Sequence, residues 1–138
     1  MPQSIQVFVN ELFAAWNSHD TEQAVRFYAA NYVGDDVAQA NPQHGTNGIR
    51  SLLALYLKAL PDFHFTAEES IVDGNRVAVI WNVRGTHQGT LMNIPPTGRQ
   101  ISVRGVSLLT IENEKVHRAT YIWDVAGLLR AVGLLPEL

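Results

Sequence analysis

A chain of 138 residues with 46% hydrophobic and 17% charged residues has the length and composition of one globular domain with a sizeable core, not of a disordered segment. Its formal net charge of −3 and pI of about 5.9 exclude the strongly basic surface of a general nucleic-acid binder. The absence of cysteine excludes disulfides, thiol nucleophiles and thiolate metal sites; with no signal-like start at Met1-Pro2-Gln3-Ser4 and no apolar run of membrane-spanning length, a soluble cytoplasmic protein with no membrane partner is the expectation.

Ile5, Phe8, Val9, Leu12, Phe13 and Trp16 recur at three- and four-residue steps, the period of one helix face, and Ser4 is placed to cap it. Asp20 opens a second helix, with Gln23 three residues on as in a capping box, and Ala24, Val25, Phe27 and Tyr28 form its buried side. Residues 32–40 read as a weak strand interrupted by Gly34-Asp35-Asp36, followed by a turn-rich loop, Asn41-Pro42-Gln43-His44-Gly45. A third helix starts at Thr46 or Asn47, carries Ile49, Leu52, Leu53, Tyr56, Leu57 and Leu60 inward, and ends at Pro61. The period then changes to two. Strands over 63–72 and 77–86 flank Asp73-Gly74-Asn75, a loop ends at Pro95-Pro96-Thr97-Gly98, and strands over 101–111 and 116–123 flank Asn113-Glu114. Val125 to Val132 is a short final helix, closed by Gly133 and Pro136. This order predicts a single α+β domain over residues 1–138, a strongly curved antiparallel sheet closed by three helices into a cone-shaped barrel, with a short C-terminal helix.

Asp124 stands where the last strand hands over to an apolar helix, beside Trp123. Two readings compete for it. Held in an apolar pocket, such a carboxyl can exchange protons with a substrate; placed just before a helix, it can instead cap the backbone N–H groups of Ala126 or Gly127. Strand alternation puts Ile122, Thr120 and Arg118 on its face, and a regular two-residue turn at Asn113-Glu114 adds Val103, Gly105 and Ser107 from the neighbouring strand. Trp123, Tyr121 and His117 then fall on the opposite face, as a sheet contact between two copies. His87 shares a side with Trp81 and is a candidate to polarise a substrate carbonyl. Asn41 and His44 flank a loop at a possible pocket mouth, and Met92 lies in a loop placed to act as a lid. Trp16, Tyr28, Tyr32, Phe27 and Tyr56 lie on inward faces, most as core and some as cavity lining. The five histidines have neither the spacing nor the accompanying carboxylates of a metal site, and no nucleophile elbow, phosphate loop or dinucleotide fingerprint occurs.

Gly85-Thr86-His87-Gln88-Gly89, Pro96-Thr97-Gly98-Arg99, Val103-Arg104-Gly105-Val106 and Trp123-Asp124, in this order, resemble the SnoaL-like polyketide cyclases of the nuclear transport factor 2-like superfamily. Val77-Ala78-Val79-Ile80-Trp81 and Leu128-Leu129-Arg130-Ala131-Val132-Gly133 are similar to the same family, and the element order fits over almost the whole chain. The resemblance implies a deep apolar pocket, a homodimer formed through the sheet, and no metal or organic cofactor. It also implies that the aspartate ending the last strand, here Asp124, is the acid/base of an intramolecular aldol closure on a small hydrophobic, polyketide-like substrate. His87 and Asn41 would then hold the enolate. Trp16, Tyr28, Tyr32, His44, Trp81, Met92, Ser107 and Ile122 would line the substrate. The same fold also serves non-catalytic ligand-binding or dimerisation modules. Epoxide hydrolases of the superfamily pair an Arg with two Asp residues, and Ser107 stands where a second acid would be expected.

Overall fold

In the computed structural model, which describes residues 4–137, the helical periods become α1 (Ile5–Asn17), α2 (Thr21–Val25), α3 (Gly45–Ala59) and α4 (Val125–Ala131). The strands are β1 (Tyr28–Asp36), β2 (Gln43–His44), β3 (His64–Asp73), β4 (Arg76–Thr86), β5 (Gln100–Glu112) and β6 (Lys115–Trp123). Both expected N-caps form. Ser4 accepts the Val7 N–H at 3.1 Å, and Asp20 accepts those of Glu22 and Gln23 at 3.1 and 3.4 Å. Among the described residues, no helix is long and apolar enough to cross a membrane.

Two elements differ from the sequence pattern. The second helix stops at Val25, and Tyr28 already belongs to β1. The Phe27 carbonyl accepts the Val116 N–H at 2.7 Å, so sheet pairing captures the chain where helical periodicity would have carried it on. Gly34-Asp35-Asp36 does not interrupt the strand. β1 runs through Asp36 alongside β6, and Gln43–His44, expected as loop, pairs with its outer edge.

The sheet order is β2-β1-β6-β5-β4-β3. The last four strands, β3 to β6, pair antiparallel as expected, as do β1 and β2, and β1 joins β6 in parallel. β2 and β3 remain edges, so hydrogen bonds do not close the barrel. The cone is completed by α1 packing on β3, α3 on β1 and α4 on β5.

β5 alternates regularly, with Ile101, Val103, Gly105, Ser107, Leu109 and Ile111 buried on the concave face. β6 does not. Ile111 pairs with Val116 but Thr110 pairs with Arg118, which leaves His117 as an extra residue in a bulge. One extra residue moves every later side chain to the other face. Buried Val116 is therefore followed by buried Ala119, while Ile122 points outward at 48% exposure. A regular hairpin predicts the reverse, and the bulge is the reason that expectation fails.

Candidate active site

The concave face and the helices above it enclose a cavity of about 100 Å³. Leu12, Phe13 and Trp16 of α1 and Leu52 and Tyr56 of α3 form one wall. Trp81, Val103, Ser107, Tyr121 and Trp123 rise from the sheet opposite, with Leu128 of α4 at the side. Phe65 packs edge-on against Trp81 and Trp16, with ring centroids 5.2 and 5.9 Å apart, and fixes both indoles. The lining is almost wholly apolar, so its few polar groups stand out.

Asp36 is the carboxylate of this lining, and it is only 2% exposed. Alternation along β1 turns Tyr32, Gly34 and Asp36 inward together. Oδ1 accepts the Ala38 N–H at 2.9 Å and the Trp123 Nε1–H at 2.9 Å, and Oδ2 accepts the Tyr56 hydroxyl at 2.8 Å. A carboxylate is an acceptor at both oxygens, and three donors meet it here. Burial, followed by the adjacent Asp36 charge, pushes the Tyr56 hydroxyl well above the usual phenol range, so Tyr56 stays protonated as a donor.

A second polar group gathers at Tyr28 and Tyr121. The Trp16 indole N–H donates to the Tyr28 oxygen at 2.9 Å, and the Tyr121 and Tyr32 hydroxyls share a hydrogen bond of 2.6 Å. Burial is the main cause that raises the pKa of all three phenols. On the neighbouring strands, the Trp81 indole N–H donates to the Ser107 hydroxyl at 2.9 Å.

Of the residues expected at the site, Trp16, Tyr28, Trp81 and Ser107 line the cavity. Tyr32 is fully buried behind it. The others lie elsewhere. Asp124 is exposed, and its carboxylate accepts the Gly127 N–H at 2.8 Å, which is the capping geometry. Ile122 faces away from the cavity because of the β6 bulge. Asn41 and His44 are exposed around the β2 edge. Met92 is half-buried in the left-handed region at φ 52°, in a tight turn where Leu91 and Ile94 pair, and does not line the cavity. His87 is 1% exposed and away from the lining. Its Nδ1 accepts the Thr97 N–H at 3.3 Å, so it braces the turn over 87–99.

Asp36, Tyr121 and Trp123 are the site residues that the sequence pattern does not disclose. The period-two series Tyr32, Gly34, Asp36 was the available signal. Gly34-Asp35-Asp36 has the composition of a turn, which masks that period.

A sequence profile of the SnoaL-like polyketide cyclase domain matches residues 6–132. The chain belongs to the SnoaL-like polyketide cyclase family. Among solved structures, AclR from Streptomyces galilaeus, described as a candidate hydroxylase, is 27% identical with a TM-score of 0.83, over 96% of this chain and 87% of its own. TsrD from Streptomyces laurentii is 22% identical, over 95% of this chain and 96% of its own, with a TM-score of 0.85. A candidate SnoaL-like polyketide cyclase from Jannaschia sp. CCS1 is 19% identical over 99% of both chains, with a TM-score of 0.83. At these identities, the latter two show the fold alone. No curated protein matches the chain.

Proposed function

We propose that this SnoaL-like protein is a cofactor-independent acid–base enzyme that closes a ring, by an aldol-type reaction, on a hydrophobic substrate rich in carbonyl groups. The observation that carries this reading is Asp36, a carboxylate buried in the wall of an apolar cavity and held by three donors. A base fixed in a water-poor site needs little reorganisation when charge moves. Asp36 takes a proton from a carbon flanked by carbonyls. The resulting enolate carbon attacks a ketone or aldehyde folded against it, a C–C bond forms, and the new alkoxide receives the proton from the Asp36 carboxyl. Confinement of the chain by Trp16, Trp81 and Phe65 supports the closure by holding the two carbons together.

The acid/base role that the resemblance implies for Asp124 competes with this assignment, so the two aspartates are tested together. On a linear poly-β-ketone ester, Asp36→Asn is expected to lower kcat by about 10²–10⁴-fold, the usual worth of a positioned acid–base group, and Asp124→Asn to leave it within a few-fold. The reverse ranking would return the role to Asp124. Wild-type turnover in both variants would remove both aspartates from the acid–base role, and turnover by the wild type no faster than in buffer alone would favour a ligand-binding module. The homodimer implied by the resemblance would use the outer sheet face, where Leu108 and Ile122 are 36% and 48% exposed. A monomer in sedimentation equilibrium would remove that proposal.

A further inference from the structure

The Tyr28, Tyr32 and Tyr121 hydroxyls form a cluster whose protons can be counted. The Tyr28 oxygen already accepts the Trp16 N–H, so the Tyr28 proton is not used in that bond. Tyr32 and Tyr121 share one proton across their 2.6 Å contact. Tyr28 and Tyr121 also interact hydroxyl to hydroxyl, which engages at most one more. Three phenols carry three O–H hydrogens, and bonds within the cluster engage no more than two. At least one hydrogen is left over and, because hydroxyls rotate, it falls on Tyr28 or Tyr121 whenever Tyr32 supplies the proton of its bond to Tyr121. Tyr28 and Tyr121 line the cavity, whereas Tyr32 is fully buried behind them. All three phenols stay protonated far above neutral pH, since burial pushes each one up.

The position of this donor matters as much as its existence. Asp36 and Tyr121 are direct partners in the parallel β1–β6 ladder, and Tyr121 is the direct partner of Ser107 on β5. Both line the cavity and the Asp36 charge acts on the Tyr121 hydroxyl, so one wall carries an acceptor-only carboxylate and a phenol. A ligand bearing only acceptor oxygens is repelled by the first and held by the second.

We propose that Tyr28 and Tyr121, backed by Trp16 and Tyr32, form a donor subsite that takes the oxygen of a ligand ketone and holds the negative charge when that ketone becomes an enolate. The ligand class is an apolar ring or chain bearing a ketone, oriented with its oxygen on the phenols and its α-carbon towards Asp36. The subsite deepens the Asp36 reading and rests on it for the enolate step, but its grip on a neutral ketone does not depend on Asp36. Hydrogen bonds from preorganised donors strengthen as charge develops on the oxygen, which is where such a pair would contribute to rate.

The test uses the intact protein with two probes of one shape, 2-tetralone and tetralin, the second lacking the carbonyl. The wild type is expected to bind the ketone about 2–10-fold more tightly than the hydrocarbon, the range of one ordinary hydrogen bond, and to shift the bound carbonyl stretch to lower frequency. Tyr121→Phe and Tyr28→Phe should each shrink both effects while leaving tetralin affinity unchanged, which also shows that the cavity has stayed intact. Tyr32→Phe, which alters the cluster without touching the lining, should give a smaller loss of the frequency shift. Asp36→Asn should keep the ketone preference and the shift. A failure of the Asp36 reading therefore appears in turnover, and a failure of the subsite appears here. The proposal is overturned if the wild type shows no ketone preference and no carbonyl shift, or if the shift survives unchanged in both cavity-lining Phe variants.

Discussion

At Asp36, the three bonds that hold the carboxylate also tie β1 to α3 through Tyr56 and to the end of β6 through Trp123. Removing a donor leaves a buried charge less well satisfied, so Tyr56→Phe and Trp123→Phe should each lower stability by about 1.5–3 kcal/mol, the worth of a hydrogen bond to a charged group. Urea midpoints check this, and unchanged midpoints in both variants would mean that the bonds contribute nothing. Trp16, Trp81 and Ser107 were legible in the sequence because a helix face or an unbroken strand carries each of them, whereas Tyr28 points inward from β1 and not from the helical period expected to carry it. Asp36 was not. A carboxylate among glycine and a second aspartate looks like turn chemistry until parallel pairing with β6 shows that the strand continues. Asp124 was conspicuous for a local reason, its place before a helix, and that local reason accounts for the bond it makes.

At the level of elements, the β5–β6 hairpin decides which residues enter the cavity. Asn113 and Glu114 form its turn, both at positive φ, and the strands begin and end within one residue of expectation. The extra residue at His117 has no marker in the sequence, yet it exchanges the two faces of β6 and brings Tyr121 and Trp123 inside. Opposite them, Gly105 leaves room that the site needs. A Cβ there would collide with the Trp81 ring and lie 2.8 Å from the Trp123 Cβ. Gly105→Val should therefore cost about 1–3 kcal/mol by overpacking and push Trp81 off Ser107. Thermal unfolding and tryptophan fluorescence would report both effects, and wild-type behaviour in both would show that the wall is more yielding than its packing implies.

For the whole molecule, the α+β cone follows from period and element order. The open sheet edges and the parallel pair come from long-range contacts that no local pattern encodes. One global property follows from the same core. All four tyrosines of the chain, Tyr28, Tyr32, Tyr56 and Tyr121, have pKa values raised above the ordinary 10.0, chiefly by burial. A raised folded-state pKa means that the folded protein holds these protons more tightly than the unfolded chain does. The linked stability is complete below the unfolded value near 10 and is lost as pH rises beyond it. Tyrosinate absorbance is thus expected to appear together with loss of the fold, in one cooperative alkaline step. A phenol titrating near its ordinary value in the folded protein would contradict this.

The central claim is that Asp36 removes a proton from carbon inside the cavity. It is measured most directly as exchange of the α-hydrogens of 2-tetralone in D2O, followed by proton NMR, which needs no knowledge of the natural substrate. The wild type and Asp124→Asn should accelerate exchange alike, and Asp36→Asn, at equal folded fraction, should lose about 10²-fold or more of that acceleration. Exchange as fast in Asp36→Asn as in the wild type would contradict the account.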